Sequence, residues 1–210
     1  MMHTESIHEE TKKVLELLSA SGVIDGFYLA GGTALAIQLG HRESIDLDWF
    51  CSAGFSNEQL ISRLAKLGVF SLTSEDVDTV HGVLNGVKVS FLKYDHGQLF
   101  PFVEFDGVRV ADERDIAAMK ISAISSRGSK KDFIDLYFLM QKYHITELLV
   151  LFERKHSGIQ YNMLHILKSL DFFDSADDDP MPIMLKPVEW PEVKRAIERE
   201  VDGYIAKYRK

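Results

Sequence analysis

Cysteine is almost missing from this chain: 210 residues include one, Cys51. An internal disulfide is excluded, and with it a disulfide-stapled extracellular scaffold. Long apolar runs are missing as well. Nothing approaches the roughly 18–20 residues that cross a bilayer, so no membrane association is expected. The opening residues, MMHTESIHEETKKVLELL, lack the basic start and apolar stretch of a secretion signal. A cytoplasmic location is the expectation. Basic charge is short, with 24 Lys and Arg against 32 Asp and Glu, a net charge of −8. That balance speaks against a surface living on non-specific nucleic-acid affinity, so a nucleic-acid partner has to be met by a local patch. Internal repeats are absent, and the only biased segment is an acidic one.

A hydrophobic content of 46% supports an ordinary buried core. Residues 4–20 read as an amphipathic helix stopped by Ser21-Gly22. Phe27 to Ala30 form a short strand leading into Gly31-Gly32. Thr33 to Leu39 are apolar and small, which predicts a buried helix ended by Gly40. After a turn at 41–44, Ile45, Leu47 and Trp49 alternate with Asp46, Asp48 and Phe50, the period of a strand. Cys51 follows as a buried filler beside two aromatics rather than a nucleophile. A second amphipathic helix covers 56–67, with Ser56 as its N-cap. Residues 69–110 read as a β meander with hairpin turns at Asn85-Gly86 and Asp106-Gly107. Beyond Ala111 the periodicity is helical, over 112–126, 129–143, 146–156, 159–170 and 190–208. The acidic stretch DSADDDPMPIMLKP reads as a loop. The expected fold class is therefore α+β: a mixed sheet with flanking helices over residues 1–110, then a helical half over 111–210 that completes a cleft.

The chemistry concentrates in GGTALAIQLGHRESIDLDWF, residues 31–50. Residues two apart in a strand share a face, with Cα atoms about 6.5–7 Å apart. Asp46 and Asp48 can then converge on a divalent cation. Glycines at a helix start let an anion approach backbone N–H groups, and Thr33 can add a hydroxyl. Each half has an ordinary reading too: a solvated strand end for the acids, tight strand–helix packing for the glycines. Ser44 lies on the acids' side of the strand. His41 and Arg42 stand in the turn before them, where either can touch phosphate and Arg42 can instead make a structural salt bridge to the acids. A second block, DIAAMKISAISSRGSKKDFIDLYFL, places Lys120 and Arg127 on one helix face by spacing. Arg127, Lys130 and Lys131 make a local basic patch. Asp132 and Asp135 sit on the next helix, where pairing of Lys131 with Asp135 also explains them.

Gly-Gly-Thr, a short helix and a strand with Asp-x-Asp together resemble the signature of polymerase-beta-type nucleotidyltransferases. The longer string resembles the AbiEii/AbiGii toxin family, and the second block resembles that family's later motif. The resemblance implies a nucleotidyltransferase fold and transfer of a nucleotide from a nucleoside triphosphate. Mg²⁺ or Mn²⁺ would sit on Asp46 and Asp48. Lys120 would contact phosphate, and Asp132 and Asp135 would complete a site with Gly31, Gly32, Thr33, Ser44 and Arg127. Acceptors implied by the family are RNA, tRNA ends in particular, or a protein hydroxyl, and an antitoxin protein is an implied partner. One position departs from the superfamily. The expected third carboxylate falls on strand VKVSFLKY and reads Ser90. A hydroxyl is a poor ligand for a second metal, which keeps open a catalytically degenerate nucleotide-binding or interaction module.

Overall fold

The computed structural model describes residues 2–208. The chain divides into two compact units, Met1–Asp112 and Glu113–Lys210. The first is built on a seven-stranded mixed sheet: β1 (Tyr28–Ala30), β2 (Leu47–Cys51), β3 (Phe70–Asp76), β4 (Thr79–Leu84), β5 (Val87–Lys93), β6 (Val103–Phe105) and β7 (Val108–Val110). Their spatial order is β3-β4-β5-β2-β1-β7-β6. Helix α1 (Glu9–Ser21) packs on β5, α2 (Gly31–Leu39) on β1 and β2, and α3 (Asn57–Ala65) on β3 and β4.

Alternation along the strands separates a core face from a polar one. Leu47 and Trp49 of β2, Val89 and Phe91 of β5 and Val80 of β4 are at most 1% exposed. Each stabilises the fold by about 1.5–3 kcal/mol through burial. Cys51 ends this row. Its thiol lies 3.1 Å from the Ala53 carbonyl oxygen, and burial pushes its pKa up to about 11, so it is a filler and not a nucleophile. The hairpin turns follow their residues. Asn85 and Gly86 have φ of 49° and 87°, and Asp106 and Gly107 have 48° and 74°, the left-handed geometry of primed turns.

The N-terminus departs from its periodicity. Instead of one helix from residue 4, Thr4–Ser6 make a short 3-10 turn and α1 starts at Glu9. Ile7 is drawn into a parallel bridge with Ser44. Strand β2 also starts later than its alternation suggests, at Leu47, and Ile45 is 52% exposed. Asp46 therefore stands just ahead of the strand rather than within it.

The second unit is helical: α4 (Glu113–Ser126), α5 (Lys130–Met140), α6 (Ile145–Lys155), α7 (Met163–Leu170), α8 (Asp174–Asp177) and α9 (Trp190–Tyr208). Helix α4 packs against α5, α6 and α7, and α9 crosses those three. Lys155 and Asp115, both fully buried, pair at 2.7 Å between α6 and α4. Phe133, Phe173 and Trp190 form a ring cluster with centroids 4.8–6.0 Å apart. The acidic stretch is no simple loop. It contains α8, and its carboxylates are used. Asp177 accepts from the Trp190 indole at 2.6 Å and Lys194 at 2.9 Å. Asp179 caps α5 by accepting from the Lys130 backbone N–H at 2.9 Å. Among the described residues, no helix is long and apolar enough to cross a membrane.

Candidate active site

Strand β1 ends at Ala30, and the chain turns directly into α2. Gly31 makes that turn with φ +72°, a conformation that costs an L side chain about 1–2 kcal/mol. A Cβ there would also stand 2.7 Å from Asp48 Oδ2. The glycine is thus required twice, by backbone and by the acid against it. Ala30 pairs with Asp48 across β1 and β2, so the helix start and the carboxylate are neighbours by register. Gly31→Ala is expected to displace Asp48 and to destabilise the protein by about 2 kcal/mol. A denaturant midpoint equal to that of the parent would contradict this.

Gly32 is shielded from the other side. A Cβ on it would lie 2.6 Å from Arg42 Nη2 and 3.5 Å from Ser44 Oγ. Arg42 is only 3% exposed and donates to the Glu43 carbonyl oxygen at 3.0 Å. A buried guanidinium therefore sits beside the start of α2, where backbone N–H groups already favour an anion. Sequence spacing left Arg42 open between phosphate and structure. Its burial against Gly32 is the feature that brings it to the site.

Thr33 and Ser44 act inward. The Thr33 hydroxyl, 1% exposed, donates to the Asp46 carbonyl oxygen and lies 2.8 Å from the Ser44 hydroxyl. These groups tie α2 to the acid-bearing turn. The Asp46 carboxylate makes no hydrogen bond or ion pair with a described residue. No group of three or more His, Cys, Asp or Glu among the described residues is arranged to hold a metal. Two aspartates, Asp46 and Asp48, stand beside the start of α2.

The register of β2 and β5 is parallel, with Asp48 opposite Ser90. Ser90 in turn faces His81 of β4. One row across the sheet thus reads Ala30, Asp48, Ser90, His81. Beyond it on the same face is an aromatic group that periodicity did not single out. Tyr28 stacks with Phe50 at 6.0 Å and meets Phe102 at 5.0 Å, and Phe50 meets Tyr94 at 5.7 Å. Phe50 lies two residues after Asp48, and that shared face was the available signal.

The second unit brings together the other residues singled out by sequence. Lys120, 5% exposed, pairs with Asp132 at 2.8 Å and Asp135 at 2.6 Å. Arg127 Nε and Nη2 donate to Asp132 at 2.9 and 3.2 Å, and the Ser129 hydroxyl donates at 2.8 Å. Burial by itself would raise the Asp132 carboxyl. The Lys120 ammonium and the Arg127 guanidinium outweigh it and hold the group well below the usual carboxylate range. Two cations and two carboxylates balance inside this network. The Arg127 side chain is 67% exposed, so part of its guanidinium faces out. Lys130 does not join a free basic patch. It is buried, with its ammonium on the Asp177 and Asp179 carbonyl oxygens and 5.4 Å from the Trp190 ring.

A groove of about 330 Å³ opens beside Arg127, with His165, Lys168, Ser169, Phe172 and Ser175 among its walls. Its lining contains no carboxylate. Phe172 is 57% exposed. The nearby Asp171 answers instead to Glu198 and Asp202 of α9, and burial and those acids raise its carboxyl.

The family model for the nucleotidyl transferase AbiEii toxin of type IV toxin–antitoxin systems matches residues 13–203. The chain belongs to the AbiEii nucleotidyltransferase toxin family. An uncharacterized protein of Aquifex aeolicus is 36% identical over 211 residues, covering 95% of this chain and 98% of that one. The crystal structure of JHP933 from Helicobacter pylori superposes with a TM-score of 0.55 at 16% identity, over 96% of this chain and 94% of that one. MenT4, a nucleotidyltransferase toxin from Mycobacterium tuberculosis, gives 0.54 at 15% identity, over 93% and 86%. At such identities the two structures share the fold. The mixed sheet with flanking helices is that of nucleotidyltransferases, and in this AbiEii member the Gly-Gly turn, α2 and the Asp46–Asp48 pair occupy one end of it.

Proposed function

We propose that the chain transfers a nucleotide from a nucleoside triphosphate to an RNA or protein hydroxyl, with Mg²⁺ or Mn²⁺ held by Asp46 and Asp48. The observation that carries this reading is the contact of Asp48 with the Gly31 turn at the start of α2. It joins a cation-binding carboxylate to an anion-binding helix end within one family motif. A bound divalent cation would supply Lewis acidity at the phosphates. The chain's own residues do the rest. Gly31 and Gly32 admit phosphate to the backbone N–H groups of α2, and Arg42 adds positive charge beside them. Thr33 and Ser44 hold the turn on which Asp46 stands. The acceptor oxygen attacks the α-phosphorus, the bond to the leaving pyrophosphate breaks, and the acceptor proton passes to solvent.

Lys120, Asp132 and Asp135 hold Arg127, whose outward part offers positive charge to an RNA backbone. The groove beside Arg127 favours RNA as acceptor, because cations without carboxylates and an exposed phenyl ring suit a single strand. An antitoxin protein is the proposed partner, and the cytoplasm the proposed place of action. The test is incubation with each labelled nucleoside triphosphate, Mg²⁺ or Mn²⁺, and host RNA plus protein. Label in the RNA fraction that disappears with chelator supports the reading, and label in neither fraction under any condition contradicts it.

One observation favours a second reading, a degenerate nucleotide-binding or interaction module. Ser90 stands opposite Asp48, where a third carboxylate would serve a second metal. Ser90→Asp separates the two readings. A carboxylate there repels Asp48 without metal and ligates with it. The expected result is a lower melting temperature in chelator and a larger Mn²⁺-induced rise than the parent shows. Equal loss with and without metal would place Ser90 away from the cation.

A further inference from the structure

We propose that residues 3–11 form a strap that sets the position of Asp46, with Thr11 as its positioning residue. The inference rests on the reading of Asp46 as a cation ligand. The strap lies outside residues 13–203 matched by the family, so nothing in that match assigns it a task.

Asp46 needs an external support. It precedes β2, so no strand ladder holds its backbone. The side chain before it, Ile45, is 52% exposed and gives the turn no apolar anchor. Hydrogen bonds supply the support instead. The two peptide groups that flank the Asp46 Cα are each fixed by a buried hydroxyl. Thr33 donates to the Asp46 carbonyl oxygen, on the side toward β2. Thr11, 1% exposed, donates to the Ile45 carbonyl oxygen at 3.2 Å, on the other side. With both planes held, the direction in which the carboxylate leaves the backbone is set.

The rest of the strap keeps Thr11 and the turn together. The Ser44 N–H donates to the Ser6 carbonyl oxygen at 2.9 Å. The Ser6 hydroxyl donates to the His3 carbonyl oxygen at 2.6 Å. The His3 N–H donates to the Ile37 carbonyl oxygen at 2.7 Å, and its ring packs so close to Gly40 that a Cβ there would fall 2.5 Å away. His8 and Glu43 meet at 2.5 Å. Three consecutive residues before Asp46 are thus each gripped from the same nine-residue segment.

The test compares Thr11→Val, which keeps the shape and removes the hydroxyl, with Thr11→Ser, which keeps the hydroxyl. The probe is Mg²⁺ with a non-hydrolysable analogue of each nucleoside triphosphate, read by calorimetry on the full chain. Thr11→Val is expected to weaken Mg²⁺-dependent binding at least fivefold at a temperature where circular dichroism shows it folded, and Thr11→Ser to restore it to within twofold. Thr11→Ala is the second variant where valine does not fold. Amide exchange at residues 45 and 46 is expected to quicken in the valine or alanine variant. Binding and exchange equal to the parent in a folded variant overturn the proposal. Asp46→Asn is the control. Loss of binding there with none in Thr11→Val sinks the strap alone, whereas full binding in Asp46→Asn sinks the cation site itself.

Discussion

Lys120→Met is expected to destabilise the second unit by about 3–5 kcal/mol, the cost of removing one partner from a buried ion network. Asp132 and Asp135 would then lose the ammonium they share, in a place where they are 1% and 0% exposed. Arg127→Met is the contrast, because its side chain is 67% exposed and an exposed pair contributes about 0–1 kcal/mol. The two tryptophans make the measurement local: Trp190 reports the helical unit and Trp49 the sheet. Urea unfolding followed by Trp190 in a Trp49→Phe background should move far for Lys120→Met and little for Arg127→Met. The pH dependence has a definite sign. The fold lowers the Asp132 carboxyl, so its stabilisation is complete above the unfolded value of about 3.9 and is lost as pH falls below it. Asp132→Asn should therefore differ most from the parent at pH 7, and the gap should close below about pH 4. A gap that widens in acid would mean the carboxyl is not held ionised by Lys120.

The second large effect falls on the chemistry. Asp48→Asn should reduce nucleotide transfer at least about 100-fold, roughly 2.7 kcal/mol of transition-state stabilisation. It should leave the fold intact in chelator. The side chain keeps its shape, so the Gly31 contact survives. Loss of activity together with a collapse of melting temperature would instead make Asp48 a structural residue.

Much of the first unit was legible from local signals. Asn85-Gly86 and Asp106-Gly107 announced their hairpins because their turns demand positive φ. Ser56 capped α3 as its residue type suggests, accepting from the Gln59 N–H. Gly40 ended α2 in the left-handed region. What local periodicity could not carry was pairing at a distance. That Ser90 lies opposite Asp48 depends on β5 inserting beside β2, which the family resemblance implied and local periodicity alone did not. The strap was hidden for the same reason: residues 4–8 carry helical spacing, and only the bridge from Ile7 to Ser44 shows why they abandon it. Lys120 looked like a half-solvated cation on one helix, and Asp132 and Asp135 like acids on another. Their burial together is a tertiary fact, and it pairs the lysine with both acids. Lys130 shows the same limit: its charge suggested a patch, and the acidic stretch 47–49 residues away consumes it.

In the proposed function Asp46 and Asp48, set against the start of α2, hold a divalent cation that carries the triphosphate. The direct measurement is calorimetric titration of a non-hydrolysable nucleoside triphosphate analogue into the parent and into the Asp46→Asn/Asp48→Asn double variant, each with Mg²⁺ and with chelator. The parent is expected to bind with Mg²⁺ and at least about tenfold more weakly with chelator, a difference of roughly 1.4 kcal/mol, and the folded double variant to bind weakly in both. Equal binding by parent and double variant, or binding by the parent that ignores the cation, would contradict it.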